Sequence, residues 1–188
     1  MYKETAEKWG AVRSVLTGEW LLPGFSRDGK LIQLYRWVRL LPGFGRKRLL
    51  ATTGFEHCLY GTQLLDPAKS EVWICEGPWD AMTLREVLDL AQDDGAGGLS
   101  LCPDPARSLA ASINVVATPS CKVFREDWLS LFDGKVVTLA YDSDHPRRVN
   151  GAVFRDGWDG MRQAFGLLAG RAAEVRVLRW GSEGYDPA

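Results

Sequence analysis

Two acidic clusters stand out because each one follows a short apolar run. The runs cover residues 72–75 and 136–141, and they are typical of buried strands in a parallel sheet. The acidic residues that follow the runs are Glu76, Asp80, Asp142 and Asp144. Because ligands bind beyond the carboxyl ends of the strands in open α/β sheets, we expect both clusters at one ligand-binding edge.

Carboxylates crowded at one sheet edge repel one another unless a cation lies between them. The hard oxygen ligands of Asp and Glu suit a divalent ion, Mg²⁺ or Mn²⁺. Asp142 and Asp144 are two residues apart in an extended segment, so alternation points both carboxylates in the same direction. Glu76, one strand away, is expected to complete the metal site or to act as the general base. Asp80 is expected to orient the site or to bind the metal through water.

The same acidic residues also fit structural roles and two further chemistries. Asp commonly follows strands and begins helices, so these residues could be caps or turn residues. That alternative applies least to Glu76, because Glu is a poor turn former and Gly77 follows it. Asp-x-Asp also serves haloacid dehalogenase-type phosphatases and metal-dependent glycosyltransferases. The phosphatases usually carry it near the chain start and before Thr or Val, whereas His145 follows it here, and the glycosyltransferases lack the upstream Glu-Gly-x-x-Asp.

Glu-Gly-x-x-Asp-Ala closing one strand and Asp-x-Asp closing a later strand together resemble the toprim domain. That domain is shared by bacterial and phage primases, topoisomerases, small nucleases and recombination mediators. Over roughly residues 24–179 the chain is most similar to the polymerase core of a phage-type primase, of the primase-helicase kind. The stretch 59–80 and the run 158–164 after Asp-x-Asp have the order usual in that family. Related primases usually have a Lys-Asp pair after the last strand; only Asp186 could correspond here, and no Lys precedes it.

The resemblance implies an α/β toprim fold, with a mainly parallel sheet flanked by helices and a small α+β N-terminal lobe. It matches Glu76, Asp142 and Asp144 to the catalytic, metal-binding acids and Asp80 to the secondary one, and Gly77 would let the backbone approach a phosphate closely. It further implies a DNA-replication enzyme that joins ribonucleoside triphosphates on a single-stranded DNA template with Mg²⁺ or Mn²⁺. A toprim nuclease and a non-catalytic nucleic-acid-binding module are the alternatives.

Basic residues come in small clusters, most of which are ordinarily solvated surface. Two clusters gain interest from their position: Arg46, Lys47 and Arg48 in the N-terminal half, and Arg147 and Arg148 just past the second acidic cluster. By resemblance, the first cluster is expected to face the template or the nucleotide. The second lies near enough to the acidic residues to hold a triphosphate.

Aromatic side chains could add stacking surfaces for bases in the N-terminal region. The candidates there are Trp20, Tyr35, Trp37 and Phe44. Packing within a β-hairpin is the alternative use of the same side chains.

Composition limits the remaining possibilities. The chain has 188 residues and a formal charge of −1, which disfavours a dedicated non-specific DNA binder. Its four cysteines form no Cys-x-x-Cys, so a zinc ribbon is absent, and a zinc ribbon or a helicase would belong to a longer parent protein. No apolar segment reaches the length of a membrane span, and the N-terminus carries no apolar signal region, so we expect a cytoplasmic protein. The resemblance to phage-type primases further implies a phage or mobile-element origin.

The predicted elements divide the chain into an accessory lobe, residues 1–66, and a toprim domain, residues 67–188. The lobe is predicted to hold a helix over 5–16 capped by Thr5, and strands at 20–22, 31–40 and 49–52. The pentamer Leu-Leu-Pro-Gly-Phe, at 21–25 and 40–44, is interpreted as two turns. In the second part we predict strands at 72–75, 99–102, 113–117, 135–141 and 173–180, helices from Pro78 and over 106–112, 126–132 and 158–169, and loops over 93–98 and 145–156.

Overall fold

A computed structural model describes residues 3–39, 47–96, 98–143, 146–150 and 152–179. Its helices are α1 (Lys3–Lys8), α2 (Pro78–Leu90) and α3 (Asp156–Leu168), with 3₁₀ turns at Thr62–Leu64, Pro105–Arg107, Leu109–Ala111 and Glu126–Leu131. Its strands are β1 (Val12–Arg13), β2 (Trp20–Phe25), β3 (Leu31–Arg39), β4 (Lys47–Ala51), β5 (Glu71–Cys75), β6 (Ala91–Asp93), β7 (Leu99–Leu101), β8 (Ile113–Ala117), β9 (Val136–Ala140), β10 (Arg147–Val149), β11 (Ala152–Phe154) and β12 (Glu174–Val177). None of the helices in the described ranges combines the length and the apolar character that a membrane crossing requires.

A parallel sheet forms the centre of the second part of the chain, in the order β12-β9-β5-β8. Every residue of β8 is buried, as is typical of parallel strands covered on both faces. Helix α2 packs through Ala81, Met82 and Leu88 on one face, and α3 packs through Met161, Ala164 and Leu168 on the other. The predicted α/β fold, a mainly parallel sheet flanked by helices, is therefore confirmed.

The N-terminal lobe is an antiparallel sheet in the order β1-β2-β3-β4, preceded by α1. Its inner side chains, Trp9, Leu22 and Tyr35, belong to the same hydrophobic cluster as α2. Tyr60 joins this cluster and forms a backbone bridge to Ala117 at the edge of β8. The lobe is thus packed directly against the parallel sheet, and the predicted boundary at 66/67 stays a prediction.

The first predicted helix is wrong in its extent. It ends at Lys8 instead of residue 16, because Gly10 adopts a left-handed conformation with φ 77° and the chain then enters β1. Thr5 consequently lies inside the helix and does not cap it. Val15 and Leu16, which extended the apolar periodicity, are 98% and 93% exposed.

Other predicted elements also need correction. The pentamer at 21–25 lies within β2, and the turn follows it at 26–30, where Gly29 takes φ 79°; the copy at 40–44 lies outside the described residues. The predicted loops at 93–98 and 145–156 border or contain short hairpins, β6–β7 and β10–β11. The predicted helices at 106–112 and 126–132 are 3₁₀ turns.

A glycine allows α3 to approach the loop that follows β8. A Cβ atom added at Gly160 would overlap the backbone carbonyl oxygen of Cys121, and no side-chain rotation can relieve an overlap with the backbone. Gly166, on the same helix, has no heavy atom within 4 Å of the corresponding position. Of these two glycines, only Gly160 is needed for the close approach of α3 to the loop.

Gly160→Ala should lower the free energy of unfolding by at least about 2 kcal/mol, because helix or loop must shift to remove the overlap. Gly166→Ala, the matched control, should raise it by about 0.5–1 kcal/mol through reduced chain entropy. Urea unfolding of both variants provides the measurement. Equal effects of the two substitutions would contradict the close approach.

Candidate active-site cleft

Pairing of β5 with β9 brings the two acidic segments together. The two strands run parallel with Cys75 opposite Ala140, so Glu76 and Asp142 leave adjacent strands at the same end of the sheet. Both residues are half-buried and line one cleft. The predicted common edge is therefore present for Glu76 and Asp142, while Asp144 lies outside the described residues.

The cleft, of about 970 Å³, separates the carboxyl edge of the parallel sheet from the N-terminal lobe. Its acidic wall carries four residues of the predicted site: Glu76, Gly77, Asp80 and Asp142. Its opposite wall carries Trp20, Trp37 and Leu49 from β2, β3 and β4. Arg13 of β1 and Thr17, from the chain between β1 and β2, also line this wall. A ligand in the cleft would contact both parts of the chain.

The start of α2 places Asp80 beside Gly77. Gly77 is extended and precedes Pro78, which occupies the first turn where its missing N–H costs nothing. A Cβ atom at Gly77 would lie 2.8 Å from the Asp80 carboxylate, so glycine leaves room for this acid to lie over the backbone. A negative charge in the first turn also suits the helix dipole, which keeps a structural role for Asp80 open.

The loop after β8 holds Glu76 from a third direction. The Thr118 hydroxyl donates to the backbone carbonyl oxygens of Cys75 and Glu76, at 3.3 and 3.1 Å. The Cys121 thiol lies near the Glu76 side chain. Burial, followed by the nearby negative charges of Glu76 and Asp156, raises the pKa of Cys121 to about 12, so the thiol stays protonated at neutral pH. Neither residue could be predicted, because no spacing pattern links this loop to the acidic segments.

Apolar surroundings lie directly beneath the acidic wall. Burial, reinforced by Asp80 and Asp142, raises the pKa of the Cys75 thiol well above its ordinary value. Burial likewise raises the pKa of Tyr141, with a further contribution from Glu76. The negative charges at this edge therefore border an apolar region of low dielectric constant, where electrostatic interactions are stronger than in water.

Most of the charged residues in the described lining of the cleft are acidic. It includes Glu19, Glu76, Asp80 and Asp142, against Arg13 as its one basic residue. Within the described ranges, no group of three or more acidic, histidine or cysteine side chains could hold a metal ion alone. The donor chemistry nonetheless fits Mg²⁺ or Mn²⁺, because Mg²⁺ is usually bound by one or two carboxylates together with substrate phosphates.

None of the predicted basic residues lines the described part of the cleft. Arg46 lies outside the described residues, as does Asp186. Lys47 and Arg48 belong to β4 and Arg147 to β10, but their side chains lie outside the described part of the structure. Arg148 is exposed on β10 and does not line the described part of the cleft.

The predicted aromatic residues divide into two groups. Tyr35 is buried and exchanges hydrogen bonds with the backbone of Cys58, so it belongs to the core. Trp20 and Trp37 are partly exposed and line the cleft, while Phe44 lies outside the described residues. A third indole in the cleft, Trp79, was not predicted. It lies between Pro78, assigned to the helix start, and Asp80, assigned to the acidic motif.

The fold matches the catalytic cores of DNA primases. The primase fragment of the bacteriophage T7 primase-helicase protein aligns with a TM-score of 0.63 and 17% identity, over 97% of this chain and 62% of that fragment. The Aquifex aeolicus primase, with its zinc-binding and RNA polymerase domains, aligns at 0.57 and 19%, over 90% of this chain and 35% of that protein. A DnaG primase catalytic domain bound to single-stranded DNA aligns at 0.51 and 16%, over 98% and 54%.

These similarities confirm the expected toprim-type, phage-primase-like core at the level of fold. The chain spans less than two thirds of the length of each of these three proteins. No protein-family profile and no curated protein matches the sequence.

Cys121→Ser tests the raised pKa of the thiol near Glu76. A raised pKa stabilises the folded state fully below the ordinary value of 9.0 and loses that contribution as pH rises towards about 12. Serine keeps a donor but does not titrate in this window. The free energy of unfolding should therefore fall less steeply above pH 9 in Cys121→Ser than in the wild type, as measured by urea unfolding in EDTA. Identical slopes would show that the pKa of the thiol is not raised in the folded state.

Proposed function

We propose that this chain is the polymerase core of a primase, which joins ribonucleotides on a single-stranded DNA template with Mg²⁺ or Mn²⁺. One observation carries the proposal. Glu76 and Asp142 leave adjacent parallel strands into a cleft whose other wall is the N-terminal sheet. A bare acidic sheet edge would suit many metal enzymes, whereas the fold that forms both walls of this cleft is similar to that of primase cores.

The reaction proposed is attack of a 3′-hydroxyl oxygen on the α-phosphorus of a ribonucleoside triphosphate, with pyrophosphate leaving. Divalent ions, when bound, would offset the charge of the phosphates and lower the pKa of the hydroxyl. Asp142 and Asp144 would hold these ions, and Glu76 would complete the site or accept the proton. The Thr118 hydroxyl holds the backbone carbonyl oxygen of Glu76 at 3.1 Å. The Asp80 carboxylate lies beside Gly77, so a phosphate would approach the Gly77 backbone with a cation between the two negative groups.

Template binding is assigned to the N-terminal lobe. Its sheet forms the wall opposite the carboxylates, and β4 begins at the predicted basic cluster Arg46, Lys47 and Arg48. The chain has a formal charge of −1, so its intrinsic affinity for DNA is expected to be weak. A zinc ribbon or a helicase in a longer parent protein would supply the remaining affinity, and Arg147 and Arg148 would assist at the triphosphate.

A toprim nuclease is the main competing function, because the same carboxylates would also position water for phosphodiester cleavage. The N-terminal wall favours synthesis, since strand cutting does not need a site that holds template and nucleotide together. A non-catalytic nucleic-acid-binding module is disfavoured by the two carboxylates that share one cleft.

Asp142→Asn and Asp144→Asn should each reduce metal-dependent primer synthesis by about a hundredfold or more, the loss expected when a charge-stabilising ligand worth several kcal/mol is removed. Melting temperature in EDTA should stay unchanged or rise, because each substitution relieves repulsion between carboxylates. Primer synthesis is measured with labelled ribonucleotides, single-stranded DNA and Mn²⁺. Asp159→Asn, an exposed change on α3, is the matched control and should leave synthesis unchanged.

The same assay distinguishes a metal-binding role of these acids from a structural one, and synthesis from the competing functions. A destabilised variant that still synthesises primers would make the residue a structural cap, whose loss costs about 0.5–2 kcal/mol. Wild-type cleavage of the template in Mn²⁺ without synthesis would establish the nuclease instead. Binding of single-stranded DNA without either reaction would establish the non-catalytic module.

The basic cluster is tested by changing Arg46, Lys47 and Arg48 together to Ala. Each phosphate contact on single-stranded DNA adds about −0.7 to the slope of log affinity against log salt concentration, so the variant should bind more weakly and with a flatter slope. Fluorescence anisotropy of a labelled oligonucleotide across a salt series gives both quantities.

A control with the same charge change uses exposed basic residues elsewhere: Arg27, Lys30 and Arg107. Two of these lie at the opposite end of the β2–β3 hairpin, in the 26–30 turn. If the control weakens binding as much as the Arg46–Arg48 variant does, the effect reflects net charge alone.

A further inference from the structure

Three tryptophans form a continuous aromatic patch on the cleft. Trp20 of β2 and Trp37 of β3 are register partners, so their indoles lie side by side on one face of the N-terminal sheet. Trp79, in the first turn of α2, stands nearly perpendicular to both, at 80° and 82°, with ring centroids 5.5 and 5.6 Å away. All three line the cleft.

Packing between the lobe and α2 accounts for only part of this arrangement. A tryptophan that serves packing alone is enclosed, as Trp9 is, which is 1% exposed and stacks on Tyr60 at 5.5 Å. The three cleft indoles keep part of their surface exposed towards the cleft. They therefore offer flat aromatic surface to whatever enters it.

The two walls of the cleft suit the two halves of a nucleotide. The acidic wall repels phosphate unless cations bridge the charges, so it gives a nucleotide no affinity by itself. The indoles favour a planar aromatic ring through stacking, whatever its hydrogen-bonding pattern. The walls meet at α2, where Trp79 and Asp80 are consecutive and both line the cleft.

We infer that Trp20, Trp37 and Trp79 form a nucleobase-stacking site that faces the carboxylates across the cleft. The identity of the ligand rests on the proposed function, since only a nucleotide needs both walls. The cleft, at about 970 Å³, has the size of sites that enclose ligands of this kind. The base would come from the incoming nucleotide or from an unstacked position of the template, because both present the same ring chemistry.

Indole N–H resonances of the ¹⁵N-labelled chain test this site without any substitution in the titrated protein. Adenosine and uridine, added in EDTA, should shift the resonances of Trp20, Trp37 and Trp79, each assigned from a Trp→Phe variant. Ribose should not shift them, because it lacks the base. Trp128, buried in the other hydrophobic cluster, should not respond to any probe.

The source of the base is distinguished by a second pair of probes. A short oligothymidylate and an oligonucleotide of the same length built from abasic sites are added separately. Shifts with nucleosides alone support the incoming nucleotide, and shifts with oligothymidylate alone support the template. Equal shifts from ribose or from abasic oligonucleotide, or no cleft indole shift with any probe, would overturn the inference.

Substitution of Trp37 tests whether the base itself provides the affinity. Trp37→Leu should weaken binding of the base-containing probe about fivefold or more, since stacking is worth on the order of 1–3 kcal/mol per base. Trp37→Phe should retain most of the affinity because it keeps a ring. Trp158→Leu, the same change at a partly exposed indole on α3 outside the described cleft lining, is the matched control and should bind as the wild type does.

Neither result depends on catalysis. Nucleoside binding in EDTA would persist if the chain failed to synthesise primers, and would then count for the stacking site and against the primase. A Trp37→Leu variant that keeps the wild-type Trp128 resonance but loses no affinity would make the three indoles a packing feature of the lobe.

Discussion

The parallel pairing of β5 with β9 decides where the acidic residues of the candidate site lie. Because Cys75 is opposite Ala140, the two strands end at the same level. Glu76, one residue past β5, and Asp142, two residues past β9, therefore leave the sheet at the same end. A displaced register would separate Glu76 from Asp142 along the strand direction by about 3.3 Å per residue. The sheet is held in this register by buried apolar side chains on both faces, so the core fixes the geometry of the charges.

Like charges at one sheet edge cost free energy, and the structure shows what limits that cost. The Cys121 thiol near Glu76 is kept protonated by its surroundings and therefore adds no further negative charge, and the loop that carries it is packed against α3 at Gly160. The remaining charge faces an open cleft in which Arg13 is the one basic residue among the described lining. An edge of this kind is suited to cations and, through them, to phosphates, and it is poorly suited to binding polyanions directly.

The parts that the sequence could predict are those fixed by local chemistry. Short, mainly apolar runs predicted β5, β8 and β9, and Pro78 predicted the start of α2. The acidic pair could be predicted because strand ends of a parallel sheet share one edge. The features that could not be predicted depend on packing between distant parts of the chain. They are the 3₁₀ turns, the short hairpins, and the proximity of Cys121 to Glu76. The end of α1 was missed for a local reason, since the apolar periodicity continues to Leu16 although Gly10 interrupts the helix.

The N-terminal lobe changes what the sheet edge can do. Alone, the carboxyl end of an α/β sheet is an open rim, on which a bound phosphate would remain hydrated on one side. Packing of Trp20 and Trp37 against Trp79 places a second wall opposite the rim and joins it to the first turn of α2, the same turn that carries Asp80. A change in the angle between the lobe and the parallel sheet would therefore displace the acidic wall through the first turn of α2. In the proposed function the tryptophans and the carboxylates would therefore act as one site, in which the lobe would cover the ligand and the sheet would supply the charge.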